Sequence, residues 1–184
     1  MFKELDEAQL ADRCRRGDSG AADELYKRYA ARLFALCKRY TSSLEDAEDL
    51  MQESMIKALD KINSFEFKGN GSLYAWICRI AINMALNNIR KKKSQPVAED
   101  QSILDDVPDP SADKMESIPQ EKLLEMISRL PGVRRAVFNL YCIDGYSHKE
   151  IGKILGISEK GSAGILAKAR AQLKKEIYRF LNDD

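Results

Sequence analysis

The chain has 184 residues, of which 44% are hydrophobic and 32% charged, and its formal net charge is +1. This composition is typical of a soluble protein with one ordinary domain or two small ones. The most apolar stretch, LYAWICRIAINMAL, is interrupted by Arg79, and the first residues lack the apolar core of a signal peptide, so we expect no membrane insertion and a cytoplasmic location.

Cysteine and histidine usage argues against a metal site. The four cysteines form no CxxC pair, and the chain has a single histidine. We therefore expect reduced, mostly packed thiols and neither a metal nor a cofactor.

The small net charge hides a segregation of charge along the chain. Residues 65–93 hold six basic groups and one acidic group, and residues 146–184 hold eight basic and five acidic groups. Between them, residues 94–119 hold one basic and seven acidic groups. Such segregation allows a polyanionic partner despite the near-neutral balance.

The N-terminal half predicts three helices, at residues 21–40, 44–62 and 73–92, because apolar side chains recur there with helical spacing. In DAEDLMQESMIKAL, three carboxylates share one helix face, those of Asp46, Asp49 and Glu53, with Gln52 alongside. Such a row is most often a solvated face. The alternatives are a metal site, which lacks further ligands, and a docking surface for a basic partner.

The third predicted helix carries an unusual polar face. Steps of three or four residues place five side chains on it, namely Trp76, Arg79, Asn83, Asn87 and Arg90. A ring, two amides and two guanidiniums offer base stacking, base-edge hydrogen bonds and phosphate contacts. Core packing of Trp76 is the competing interpretation. The preceding loop, residues 65–74, adds candidates for holding an unstacked base, namely Phe65, Phe67, Lys68 and Asn70.

Residues 94–119 contain four of the five prolines and show no helical periodicity. They predict an acidic, flexible linker. The fold class is therefore all-α, with one small helical domain at residues 1–93 and another at residues 120–184.

The C-terminal half predicts helices at residues 120–129, 133–141, 148–155 and 159–180. Ser147 and Glu150 fit a capping box, Gly152 permits a close helix approach, and Gly156 suits a tight turn. This pattern indicates a helix-turn-helix, although an αα-hairpin inside a bundle has similar features. Ser158 is a candidate cap for the last helix.

A helix-turn-helix would insert its second helix into the major groove. The predicted outward face of that helix is formed by Lys160, Ala163, Gly164, Ala167 and Lys168. Only its two lysines resemble the usual base-reading side chains, whereas Arg170 is placed to contact phosphate.

DAEDLMQESMIKAL, INSF and SLYAWICRIAINMALNNIRKKK together resemble region 2 of sigma-70-type sigma factors, in their small extracytoplasmic-function (ECF) group. LPGVRRAVFNLYCIDGYSHKEIGKILGISE resembles their region 4. The resemblance implies a non-enzymatic initiation factor that binds core RNA polymerase and promoter DNA, and that an anti-sigma factor can restrain. The rival interpretation is a helix-turn-helix transcriptional regulator that does not bind core polymerase.

The resemblance also implies roles for particular residues. The polymerase-binding set is Asp46, Asp49, Leu50, Gln52 and Glu53. The set for the −10 element is Phe65, Lys68, Asn70, Trp76, Arg79, Asn83, Asn87 and Arg90. The set for the −35 element is Ser158, Lys160, Ala163, Gly164, Ala167, Lys168 and Arg170. Relatives commonly have a polar run where this chain has Ala163, Gly164 and Ile165, so we expect recognition there through phosphates and DNA shape.

Overall fold

The computed structural model describes residues 5–92 and 117–182, and it confirms the all-α prediction for them. These residues fall into two compact units. The first comprises residues 5–38 and 43–85, and the second comprises residues 39–42, 86–92 and 117–182. Most of the predicted linker, residues 94–116, lies outside the described residues, and the predicted domain limits at 93 and 120 stay predictions.

The N-terminal helices are α1 (Glu7–Arg15), α2 (Ser19–Tyr40), α3 (Leu44–Asp60) and α4 (Ser72–Lys92), with a 3₁₀ turn at Ile62–Ser64 after α3. The sequence prediction missed α1, although its start signal is present. Asp6 accepts a hydrogen bond from the Gln9 backbone at 2.8 Å, and the Gln9 side chain accepts one from the Asp6 backbone at 3.3 Å. This reciprocal capping satisfies two backbone donors at the helix start.

Regularly spaced apolar residues form the core of the first unit. α1 buries Leu10, α2 buries Leu25 and Leu33, and α4 buries Leu73 and Ile77. The apolar side predicted for α3 is also buried, at Met51, Met55, Ala58 and Ile62. Each fully buried large side chain contributes about 1.5–3 kcal/mol relative to an exposed one. The polar sides of α3 and α4 are left for other contacts.

The C-terminal helices are α5 (Gln120–Arg129), α6 (Gly132–Phe138), α7 (His148–Leu155) and α8 (Glu159–Asn182). The helix predicted at 133–141 instead ends as α6 and continues as a π turn at Asn139–Ile143. One buried cluster joins α5 to the second half of α8, through Met126, Leu130, Ala169, Leu173 and Ile177, together with Ile118.

The turn between α7 and α8 has the predicted geometry. Ser147 and Glu150 form the capping box at the start of α7. Gly156 ends α7 in the left-handed region, with φ +67°, which favours glycine. A Cβ atom at Gly152 would lie 2.8 Å from the Ile157 carbonyl oxygen, so the absent side chain is what allows the chain to pass.

We expect Gly152→Ala to destabilise the protein by about 1–3 kcal/mol, because the methyl group would clash with backbone. Gly164→Ala is the matched control, since nothing lies within 4 Å of the added Cβ on the same helix pair. It should stabilise α8 by about 0.5–1 kcal/mol. Urea unfolding of the two variants would test this, and equal effects would contradict it.

All four cysteines lie within the described residues, and none of them forms a disulfide. Cys14 and Cys37 are buried, whereas Cys142 is exposed. Burial first, and the neighbouring Cys78 second, raise the pKa of Cys37 to about 12. Within residues 5–92 and 117–182, no helix is long and apolar enough to cross a membrane.

Alkylation of the native protein near pH 8 should therefore modify Cys142 first and Cys37 last, because the thiolate is the reactive form. Peptide mass spectrometry after timed iodoacetamide treatment would give the order. Early modification of Cys37 in the folded protein would contradict this prediction.

Candidate functional surfaces

The acidic row lies on the solvent side of α3. Ser43 caps this helix, accepting a hydrogen bond from the Asp46 backbone at 3.0 Å. The side chains of Asp46, Asp49, Gln52 and Glu53 are exposed. The polymerase-binding role implied for Leu50 does not fit its position as a direct contact, because Leu50 is only 3% exposed and belongs to the core. The row is thus a fixed negative surface suited to a basic partner, and Leu50 supports it from below.

The polar face predicted on α4 is present. Arg79, Asn83, Asn87 and Arg90 are exposed, and Trp76 is half-buried on the same side. The five residues extend for about 21 Å along the helix axis. Trp76 also packs on Phe65, with ring centroids 5.4 Å apart, so core support and surface exposure are combined in one side chain.

A surface cavity of about 260 Å³ lies beside the start of this face. It is lined by Ser64, Phe65, Glu66, Lys68, Ser72, Ala75, Trp76 and Arg79. Phe65 lines the cavity as its predicted role requires, but its residue is only 3% exposed, so it supports the wall and offers little free ring surface. The exposed ring of the loop is Phe67, at 45%. An aromatic wall with cationic side chains in the same lining suits a flat, unpaired base.

The backbone of the loop is shaped by two glycines and a serine. Gly69 and Gly71 have φ values of +112° and +88°, which other residues rarely adopt. The Ser72 hydroxyl donates to the Gly69 carbonyl at 2.6 Å and accepts from the Lys68 backbone at 3.2 Å. Lys68 and Asn70 are exposed, as the prediction for this loop requires.

Two charged residues that the sequence prediction missed contact the ends of this loop. The carboxylate of Glu7 accepts a hydrogen bond from the Leu73 backbone, and the guanidinium of Arg15 donates to the carbonyls of Ile62 and Phe65. The partners are between 47 and 66 residues away in sequence. No local pattern could therefore have identified them.

The outward face of α8 agrees with the prediction. Its exposed residues include Lys160, Ala163, Gly164, Ala167, Lys168 and Arg170. Ser162, Leu166 and Ala169 are buried on the opposite side. Ser158 is exposed, and its hydroxyl caps α8 by accepting a hydrogen bond from the Gly161 backbone at 2.9 Å.

Tyr141 of the π turn and His148 of α7 contact the first half of α8. The Arg170 guanidinium lies 5.8 Å from the Tyr141 ring centroid, and the Tyr141 ring stacks on His148 at 4.3 Å. His148 Nδ1 is in turn 3.0 Å from the Ser162 hydroxyl. The contact with Tyr141 favours, by about 0.5–1 kcal/mol, an Arg170 side chain that lies over this ring.

Family models match both halves of the chain, Sigma-70 region 2 at residues 25–95 and Sigma-70 region 4 at residues 120–173. The ECF RNA polymerase sigma factor SigM of Mycobacterium tuberculosis is 30% identical over 167 residues, which cover 90% of this chain and 81% of the relative. This chain belongs to the sigma-70 family, in its ECF group. The RNA polymerase sigma-H factor of Pseudomonas aeruginosa is 26% identical over 194 residues, with full coverage of both chains.

A solved structure has the same fold as this sigma factor. It is the sigma factor RpoE of Bartonella quintana, crystallised with the anti-sigma factor NepR. The TM-score is 0.51 at 21% identity, over 85% of this chain and 96% of that one.

Family membership establishes the function. The protein is a non-enzymatic transcription initiation factor that binds core RNA polymerase and directs it to specific promoters through their −10 and −35 elements. The region 2 match is not expected of a regulator that has only a helix-turn-helix, so the rival interpretation is not favoured.

Proposed function

We propose that this sigma factor works through three separate surfaces. Residues 1–93 act as region 2, with the acidic row of α3 docking on a basic surface of core polymerase and the α4 face with its cavity binding the −10 element. Residues 120–184 act as region 4, with the outward face of α8 on the −35 element. Residues 94–119 connect the two regions.

The observation that carries the −10 assignment is the cavity at the start of the α4 face. Trp76 forms part of its aromatic wall, and Lys68 and Arg79 also line it. Melting a duplex costs free energy, and binding an extruded base against the Trp76 ring, beside the two cations, offsets part of that cost. Asn83, Asn87 and Arg90 continue along the face, where the unpaired strand would follow.

Reconstitution tests the three-surface proposal as a whole. The full chain should co-purify with core polymerase and support run-off transcription from promoters selected out of randomised DNA. Footprinting should then show protection at both elements and unpaired bases at the −10 element. Failure of the chain to bind core polymerase would contradict the proposal that the acidic row of α3 docks on it.

The −35 surface makes a separate prediction. Small side chains at positions 163, 164 and 167 leave few groups for base-edge hydrogen bonds, so Lys168 and Arg170 should act mainly on phosphates. Lys168→Ala should weaken holoenzyme binding about equally on all −35 sequences and reduce the salt dependence of log K by roughly one charge.

Competition binding against a panel of single-base −35 variants would measure this. Lys149→Ala, which removes an exposed lysine of α7, is the control for net charge. If Lys168→Ala or Arg170→Ala relaxed the preference at one base position only, the phosphate and shape hypothesis would be wrong.

We also propose that the protein acts in the cytoplasm and that an anti-sigma factor restrains it. The support is the solved relative, which was crystallised with such a factor. Cell fractionation tests the location. Purification of the tagged chain before and after stress tests the restraint, which predicts a second protein that is replaced by core polymerase.

A further inference from the structure

α1 lies before the residues that match the region 2 family model, which begin at residue 25. It packs on the first unit through Leu10, Ala11 and Cys14, which are buried. Two of its charged residues, Glu7 and Arg15, lie at opposite ends of the helix, about 12 Å apart along the axis. Both reach the segment that contains the base-binding loop.

At one end of that segment, Glu7 caps α4. Its Oε2 accepts a hydrogen bond from the Leu73 backbone at 3.1 Å, and its Oε1 accepts one from the Tyr29 hydroxyl at 2.8 Å. The first turn of a helix has backbone donors without partners, and a carboxylate there is favoured by the helix dipole. Gly71, which precedes α4, has no side chain with which to cap it.

The partners of Glu7 hold the carboxylate in place. Burial first, and the hydrogen bond to Glu7 second, raise the pKa of Tyr29 to about 12, which agrees with a neutral hydroxyl that donates to the Glu7 carboxylate. The Tyr29 ring stacks on Tyr74 with centroids 5.5 Å apart, and the Arg32 guanidinium lies 4.0 Å from the Tyr74 ring. The start of α4 is therefore tied to both α1 and α2.

At the other end of the segment, Arg15 holds the exit from the 3₁₀ turn. Its Nε donates to the Ile62 carbonyl at 3.3 Å, and its Nη2 donates to the Phe65 carbonyl. The Asp12 carboxylate accepts from Nη1 and orients the guanidinium. Phe65 is the residue whose ring supports Trp76, so Arg15 fixes the backbone directly beneath the cavity wall.

We propose that Glu7 and Arg15 are positioning residues that clamp the two ends of the loop of residues 65–71 and hold it in the conformation that receives an unpaired promoter base. This inference rests on the proposed function, because it requires the loop to bind the −10 element. A loop with fixed ends loses less conformational entropy when the base binds.

The test uses holoenzyme reconstituted from core polymerase and the full chain, on a promoter selected from randomised DNA by the wild-type holoenzyme. Each base of the non-template −10 strand is replaced in turn by an abasic site, and open-complex formation is measured. The penalty at a position is the factor by which its abasic site reduces open-complex formation relative to the intact promoter. For the wild type, one position should show a penalty much larger than the others. In Glu7→Ala and Arg15→Ala that penalty should fall about fivefold, while the penalties at other positions stay the same.

This pattern separates positioning from general stability. A variant that is merely less stable lowers the active fraction on every template and leaves the ratio between abasic and intact promoter unchanged. Glu7→Gln keeps an oxygen acceptor for the Leu73 backbone and should recover most of the penalty. Asp23→Ala, which removes an exposed carboxylate of α2, is the control and should match the wild type.

If an alanine variant fails to fold, as judged by circular dichroism, Arg15→Lys tests the positioning role in its place. A lysine keeps the charge but cannot donate to both carbonyls at once. It should reduce the penalty as Arg15→Ala would. A penalty present in the wild type and fully retained in the folded variants would overturn this inference alone. A wild type with no such position would overturn the base-binding function of the loop, and the inference with it.

Discussion

Reversing two charges of the acidic row, Asp49→Lys with Glu53→Lys, should weaken binding to core polymerase by about 100-fold, or ~3 kcal/mol. Both side chains are exposed on α3 and stand on one helix face. Their replacement turns attraction to a basic partner into repulsion. Fluorescence anisotropy of the labelled full chain, titrated with core polymerase at fixed salt, measures the change directly.

The matched control is Asp23→Lys with Glu48→Lys, which changes the net charge equally at two exposed carboxylates outside the row. The control should bind core polymerase within about twofold of the wild type, because a single exposed ion pair contributes about 0.2–1 kcal/mol or less. Equal losses in the two double variants would show that net charge, and not this surface, governs binding. Raised salt should shrink the difference between them.

Trp76→Ala should reduce open-complex formation on a duplex promoter by about ten- to 100-fold, since base stacking on an aromatic ring contributes about 1–3 kcal/mol. The same variant should lose much less on a template whose −10 element is already unpaired. On that template the cost of melting is absent, and the remaining contacts along α4 are sufficient. Permanganate footprinting checks melting on the duplex promoter, and run-off transcription from the two templates gives both losses.

Trp76→Phe separates the loss of stacking from damage to the protein. Phenylalanine keeps an aromatic ring against Phe65 and should restore most of the activity. Core-polymerase binding of Trp76→Ala should be unchanged, because the acidic row lies on a different helix. An equal loss on duplex and unpaired templates would contradict a role in offsetting the cost of melting.

Periodicity was sufficient to predict the faces of the long helices. Asp49 on α3, Asn83 on α4 and Lys168 on α8 are all exposed as predicted, because a spacing of three or four residues fixes the side of a helix. The role of Leu50 rests on the family resemblance and not on periodicity, and its burial in the core does not fit a direct contact with polymerase. Its chemistry alone places it in the core.

Contacts between distant segments were not predictable. The sequence places Phe65 in the loop but does not show that it is buried, that it packs on Trp76 or that Arg15 holds its backbone. The clamp by Glu7 and Arg15 joins residues 47 or more positions apart, and a single sequence contains no local signal for such pairs. The π turn after α6 was not predicted for a different reason. Its residues are acceptable helix formers, so the sequence does not distinguish a π turn from a regular α-helix there.

The continuity of α8 has a mechanical consequence. One unbroken helix carries Lys160 near its first turn and Ile177 near its last, where Ile177 and Leu173 pack against α5. These two ends are about 26 Å apart, so a tilt of about 5° at the packed end would move the other end by about 2 Å. If α8 contacts the −35 element as proposed, a change of side-chain volume at Leu173 or Ile177 would therefore also shift Lys160, although neither residue belongs to the outward face.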